Sequence, residues 1–435
     1  MKKSSTTSSK LNIGLILLVF ISFVSCEDKC ENEQTLYNYR PVYTSLTELR
    51  SQVAYSEPQE IEITGKIFFK DSYLFINEPN KGIHIIDNHD PANPVNKGFI
   101  TVPGSYDLAV KGNMLYTDSY IDLVIIDISD INNIHEAGRK ENVFNTYNTY
   151  GYYATDDALV TSWEISEERT VVTHDCNGSD SDPVLYDWGY TLSDGIGTFE
   201  SIDNRNSVSP TNPGMGGSMA RFALAGNYLY TLNSSELITF NLASPESPSD
   251  DNHTQLSWDI ETIFPKNGHL FIGTRSGMHI MDLTTDPLSP TLLSTYAHVT
   301  SCDPVIVDDN YAYVTLRSGT ECEGFTNQLE VIDISDLTNP KLLHTYEMTN
   351  PHGLGKDGNL LFICDGSDGL KVFNAEDISD INNNMLEHYK DIQAYDIIPF
   401  QNIAMMIGED GLFQYDYSDM DNITLLSHIQ IKSSH

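Results

Sequence analysis

Asp122-Leu123-Val124-Ile125-Ile126-Asp127-Ile128-Ser129-Asp130 holds a short apolar run rich in β-branched residues, Leu123 to Ile126, closed by an aspartate, and the pattern returns along the chain. The copies are Ile83-His84-Ile85-Ile86-Asp87, Leu237-Ile238-Thr239-Phe240-Asn241, Met278-His279-Ile280-Met281-Asp282, Leu329-Glu330-Val331-Ile332-Asp333, Leu370-Lys371-Val372-Phe373-Asn374 and Leu412-Phe413-Gln414-Tyr415-Asp416. Successive Asp/Asn positions lie 40, 114, 41, 51, 41 and 42 residues apart, so the unit is about 41 residues with one large and one small insertion. A run this short, bounded by turn residues, is a buried strand rather than a helix. A period of about 40–45 residues is that of a four-stranded propeller blade.

Each unit divides internally into four strands. In the second, Asp107 to Val110 is strand A, Lys111-Gly112-Asn113 a turn, Met114 to Thr117 strand B, Leu123 to Ile128 strand C, and Glu136 to Arg139 strand D. Gly, Asn and Asp supply the positive φ or the side-chain-to-backbone bonds that such tight turns require. The expected fold is an all-β, seven-bladed β-propeller with four-stranded blades over residues 46–435, and a large insertion, 141–217, between blades 2 and 3. A short helix is expected at Ser45 to Val53. The strands near Val53 to Thr64 are expected to complete a blade with Leu425 to Ile431, because a closed ring leaves no unpaired sheet edges.

The runs at 122–130 and 329–340, the latter ending Ile334-Ser335-Asp336-Leu337-Thr338-Asn339-Pro340, resemble the LVIVD repeat of bacterial and archaeal cell-surface propellers. The resemblance covers residues 62–432 apart from the insertion. It implies a fold and a cell-surface location, and it implies no particular chemistry. Asn241 and Asn374 depart from the repeat's aspartate, which fits a turn-forming role for that side chain.

The N-terminus reads as an export signal, residues 1–25: Lys2, Lys3 and Lys10 precede an apolar run, Leu11 to Val24, too short to span a membrane. Phe23-Val24-Ser25-Cys26 resembles the lipobox of bacterial lipoproteins, making Cys26 the lipidation site, followed by a polar tether and lead-in over 26–45. The expected location is extracytoplasmic and lipid-anchored, in the outer membrane, with display at the cell surface open.

With 62 Asp and Glu against 24 Lys and Arg, the net charge is −38. Such a surface repels phosphate backbones, so no nucleic acid is expected as a partner. The membrane, through the lipid, and a protein or glycan ligand are the expected partners of a monomeric chain.

Long connections carry the function that a rigid scaffold positions. Here they fall between strands B and C or between blades, hence on one face. Six residues before each A–B turn the chain places Lys66, Asp107, Arg221, Glu261, Asp303, His352 and Asp396, all polar or ionisable. Innermost strands line a propeller channel, so these seven are expected as a ligand-binding ring at its mouth. Cys302 and Cys322, at the same rim of blade 5, are the expected disulfide, one that an exported protein permits.

Asp175, Asn177, Asp180 and Asp182 form an oxygen-rich string that is a weak calcium candidate, lacking the glycine and terminal Glu of an EF-hand loop. No other cofactor is expected. Ser201 to Ser218 reads as an irregular loop draped over the face. No nucleophile elbow, HExxH or Walker loop is present. The leading functional reading is a binding or interaction module for a protein, glycan or ion. The alternative is a hydrolase or lyase using the ring carboxylates and His352 with metal assistance.

Overall fold

The structure is a computed structural model that describes residues 31–144, 158–175, 215–233, 235–257, 260–298, 304–318 and 326–432. It divides into two compact units. In the smaller, the strand Glu31–Ser45 pairs with Ala158–Asp175, and Arg40 bonds Glu164 at 2.8 Å on the exposed sheet.

The larger unit is a seven-bladed β-propeller of four-stranded blades. Every blade runs A-B-C-D from one continuous stretch, as in blade 2: Leu108–Lys111, Met114–Ser119, Asp122–Asp127 and His135–Lys140. The repeated apolar runs are the C strands. Leu123, Val124, Ile125 and Ile126 are each fully buried, because both faces of a blade pack on its neighbours.

All seven copies of the closing Asp or Asn act alike. Each accepts, through its side-chain oxygen, the backbone N–H two residues on, at 2.7–3.2 Å. The residue after it donates its N–H to a carbonyl of the A–B turn, as Ile128 does to Asn113 at 2.9 Å and Ala375 to Asn359 at 2.7 Å. One side chain thus starts the C–D turn and seats it on the A–B turn, and Asn serves as well as Asp. A bulge or register irregularity breaks each C–D pairing, adding local twist to the outer strand.

The helix comes at Leu46–Ser51, with the Ser45 side chain capping the N–H of Glu48. Ring closure differs from expectation. Ala54–Ser56 pairs with Phe99 to Thr101 on the outer edge of blade 1, and blade 7 takes all four strands from residues 394–430. With blade 7 complete in itself, the N-terminal strand covers an otherwise open sheet edge instead. Blades 1 and 7 are joined by other bonds: Lys432 N to Ile61 O at 2.7 Å, Thr64 Oγ1 to Gly408 O at 2.8 Å, and a reciprocal Asn88–Gln414 amide pair at 2.9 and 2.7 Å. They share an apolar cluster that includes Ile67, Leu74, Ile398 and Met405.

Candidate functional site

The A strands are the inner strands, and the channel they line is occupied by the chain itself. Met215–Gly216 forms a strand on the inner edge of blade 1, opposite Phe69 and Phe68. Residues 216–220 are buried. Ser218 reaches blades 6 and 7: its Oγ accepts the N–H of Leu354 at 2.7 Å and donates to Asp396 Oδ1 at 2.9 Å. Met219 O accepts Lys66 Nζ of blade 1 at 3.3 Å, and Ala220 O accepts the N–H of Ile263 of blade 4 at 2.9 Å. The Asp107 carboxylate of blade 2 takes the N–H groups of Arg221 and Phe222. The last residues of the stretch read as a draped loop, 215–218, are therefore a channel segment. Gly216-Gly217-Ser218 lets the backbone pass close to its walls.

This segment decides the fate of the ring residues. Lys66 and Asp107 pair at 3.1 Å with both side chains only 2% exposed. Burial pulls the Lys66 ammonium below its ordinary pKa, against the opposing pull of Asp107. Asp396 is fully buried, and burial pushes its carboxyl well above the carboxylate range. Its Oδ1 accepts the Ser218 N–H at 3.2 Å besides the hydroxyl, while Oδ2 has no partner among the described residues.

Of the other ring positions, Arg221 joins the pair through its N–H to Asp107, and Glu261 and His352 stand apart. Glu261 bonds Arg275 at 2.9 Å. His352 is buried with its ring 5.5 Å from that of Tyr395, and burial, with the Arg317 charge, drops its pKa to about 3, so it is neutral. Arg221 is partly exposed, with a buried Nε that no described residue meets. Asp303 lies outside the described residues, as do Cys26, Cys302, Cys322, Asn177, Asp180 and Asp182. The side chain of Asp175 does too. Cys364 is a free, fully buried thiol. Among the described residues no three His, Cys, Asp or Glu side chains are grouped to hold a metal.

Asp118, at the end of the blade 2 B strand, belongs to this cluster and escaped the ring alignment. Its Oδ1 accepts the N–H groups of Tyr106 at 2.7 Å and Asp107 at 2.8 Å. Burial lifts its pKa to about 6 against those bonds, with the Arg221 charge pulling the other way. The signal was present: the equivalent B-strand positions hold Asn77, Leu232, Gly273, Thr315, Cys364 and Ile407, so Asp118 is the one carboxylate among the seven. A separate groove of 480 Å³ lies between blades 2 and 3, where Arg139 is committed to Asp122 and Glu136.

The LVIVD repeat family matches residues 104–141 and 301–348. The chain carries LVIVD repeats on a seven-bladed β-propeller. No curated protein matches this propeller. Solved structures do, at low identity. The periplasmic gluconolactonase PpgL of Pseudomonas aeruginosa is 10% identical over 85% of this chain and 96% of its own, with a TM-score of 0.52. The computationally designed Ika8 protein is 11% identical over 87% and 90%, with a TM-score of 0.51. BamB of Moraxella catarrhalis is 9% identical over 88% and 99%, with a TM-score of 0.46. At such identities the likeness to PpgL and Ika8 is one of fold and nothing more specific. No helix among the described residues is long and apolar enough to cross a membrane.

Proposed function

We propose that this protein is a lipid-anchored, extracytoplasmic binding or interaction module, and that its contact surface is the face of the B–C turns and blade crossings. The observation that carries this reading is the Asp118 carboxyl lying within the field of the Arg221 charge at the inner rim of that face. Both are partly exposed, the buried Nε of Arg221 has no partner among the described residues, and burial lifts the Asp118 carboxyl to about 6 against the pull of the Arg221 charge. Perturbed, incompletely satisfied groups in a recess mark binding sites more often than structural ones. On the opposite face the repeated Asp and Asn side chains are consumed by their own turns.

A guanidinium beside a carboxyl recognises a polar group that offers an acceptor to one and a donor to the other, as a glycan or a polar protein loop does. The export signal and lipobox-like sequence ending at Cys26 support the location.

Glycan arrays and purified envelope proteins, probed with wild type, Arg221→Ala and Asp118→Asn, test the reading. A ligand whose affinity falls about tenfold in either variant, a loss of about 1.4 kcal/mol, supports it. A ligand bound equally by all three proteins overturns the assignment of the site. Metabolic labelling with a fatty acid, lost in Cys26→Ala, tests the anchor.

A further inference from the structure

The channel segment is held at its centre by one contact set. Ser218 is wholly buried, and its Oγ stands between Leu354 N of blade 6 and Asp396 Oδ1 of blade 7, while its own N–H also goes to Asp396. Gly353 closes the pocket so tightly that a Cβ there would lie 2.1 Å from Asp396 Oδ1 and 2.8 Å from Ser218 Oγ. No solvent reaches the carboxyl. We propose that Asp396 and Ser218 form a proton-operated latch: with a proton on Asp396 the segment 215–221 stays seated and the channel is closed, and when the carboxyl ionises the segment disengages.

The bonds from Ser218 and Ile397 and the charge of Lys66 favour an ionised Asp396, and burial outweighs them. From blade 1 it faces Lys66, whose ammonium is already bonded to Asp107 and Met219 O. From strand B of blade 6 it faces the Cys364 thiol, itself held protonated by burial and by the nearby carboxyls of Asp396 and Asp365. Asp365 is committed to Lys371 and to the N–H groups of Thr349 and Asn350. His352, on the chain entering blade 6, is neutral, and the strand of Asp396 itself adds the Ile397 N–H. The Oδ2 atom lacks a partner among the described residues. A charge on that carboxyl is therefore driven toward water, and the move breaks both bonds to Ser218. The proton released goes to solvent.

Hydrogen exchange of the peptide containing 215–221, followed from mildly acidic to mildly alkaline pH in full-length protein, tests this. Asp396→Asn at matched pH cancels the intrinsic pH dependence of exchange. The wild-type excess over Asp396→Asn is expected to grow about tenfold per pH unit once the carboxyl titrates, the slope for loss of one proton. Ser218→Ala is expected to exchange freely at every pH, while blade strands such as Gly277–Asp282 stay protected. Tracking of wild type and Asp396→Asn at all pH values, full protection in Ser218→Ala, or loss of the blade strands together with the segment each overturns the latch. Should Asp396→Asn not fold, Met219→Cys in otherwise wild-type protein reads the same opening. Its thiol labelling, corrected for thiolate fraction, is expected to rise with pH, and a flat profile overturns the proposal.

Discussion

Lys66 Nζ of blade 1 lies 3.1 Å from Asp107 Oδ2 of blade 2, and each side chain keeps 2% of its surface in contact with solvent. The pair is not an isolated bridge. Asp107 also gathers the N–H groups of Leu108, Arg221 and Phe222, and Lys66 also bonds Met219 O. Removing one partner leaves the other charged and buried, which costs about 3–5 kcal/mol. Asp107→Ala is therefore expected to lower unfolding free energy by that order in denaturant titration. Lys66→Met, which spares the backbone bonds of Asp107 but strands its charge, is expected to cost as much. A change under 1 kcal/mol in both, against roughly that scale, means the junction is not organised around this pair.

The closing aspartates of the repeat offer a cleaner substitution. Asp127 is pulled below the ordinary carboxylate range by the Ser129 hydroxyl and N–H, and Asp282, Asp333 and Asp416 by the same two groups of Thr284, Ser335 and Ser418. Asn241 and Asn374 already do this work without charge. Asp127→Asn is thus expected to be nearly neutral at pH 7, while Asp127→Ala costs about 1 kcal/mol for the lost turn bond. A folded pKa below the unfolded value adds stability that is present above the unfolded pKa of about 4 and fades as pH falls through the folded one. Wild type should therefore fall below Asp127→Asn in stability on acidification below about pH 4. Thermal melts of both proteins across that range check the sign.

The reason these turns were legible in sequence, and the channel was not, is physical. A blade is a local object: Asp122 to Asp127 pairs with Met114 to Ser119, and that strand with Leu108 to Lys111, each within one hairpin, so periodicity and turn residues record it. The occupant of the channel is a distant contact, Ser218 with Asp396 across 178 residues, made by Gly216-Gly217-Ser218, whose small side chains read equally as loop. The alignment found Lys66, Asp107 and Asp396 because their A-strand position is periodic. It gave no sign that they turn inward to the segment. Asp118 was hidden for the opposite reason, as the lone carboxylate of a strand position filled elsewhere by apolar or uncharged groups.

Gly353 is the position where bulk acts directly on the channel segment. An added methyl meets Asp396 Oδ1 and Ser218 Oγ inside contact distance, and neither atom can yield without losing the bonds between them. Gly353→Ala is expected to destabilise by about 1–3 kcal/mol, the usual cost of overpacking. It should also raise protease cleavage near Met215 to Arg221 before any blade unfolds. Combining it with Ser218→Gly, which vacates the hydroxyl, should recover part of the loss. Equal stability of Gly353→Ala and wild type would show that the backbone there moves freely.

Asp118 is expected to govern stability with the opposite pH sign from the turn aspartates. Its carboxyl titrates at about 6 in the folded protein because burial outweighs the two N–H bonds it accepts. In the unfolded chain it returns to about 4. A raised folded pKa means the folded state holds the extra proton between those values, so its contribution is complete below about pH 4 and is lost as pH rises through about 6. Asp118→Asn keeps the acceptor oxygen for Tyr106 and Asp107 and cannot ionise. The difference in unfolding free energy between wild type and Asp118→Asn should shift against wild type across that window and level off above it. A difference that is flat with pH would place Asp118 in water. It would then be removed from the recess it is argued to share with Arg221.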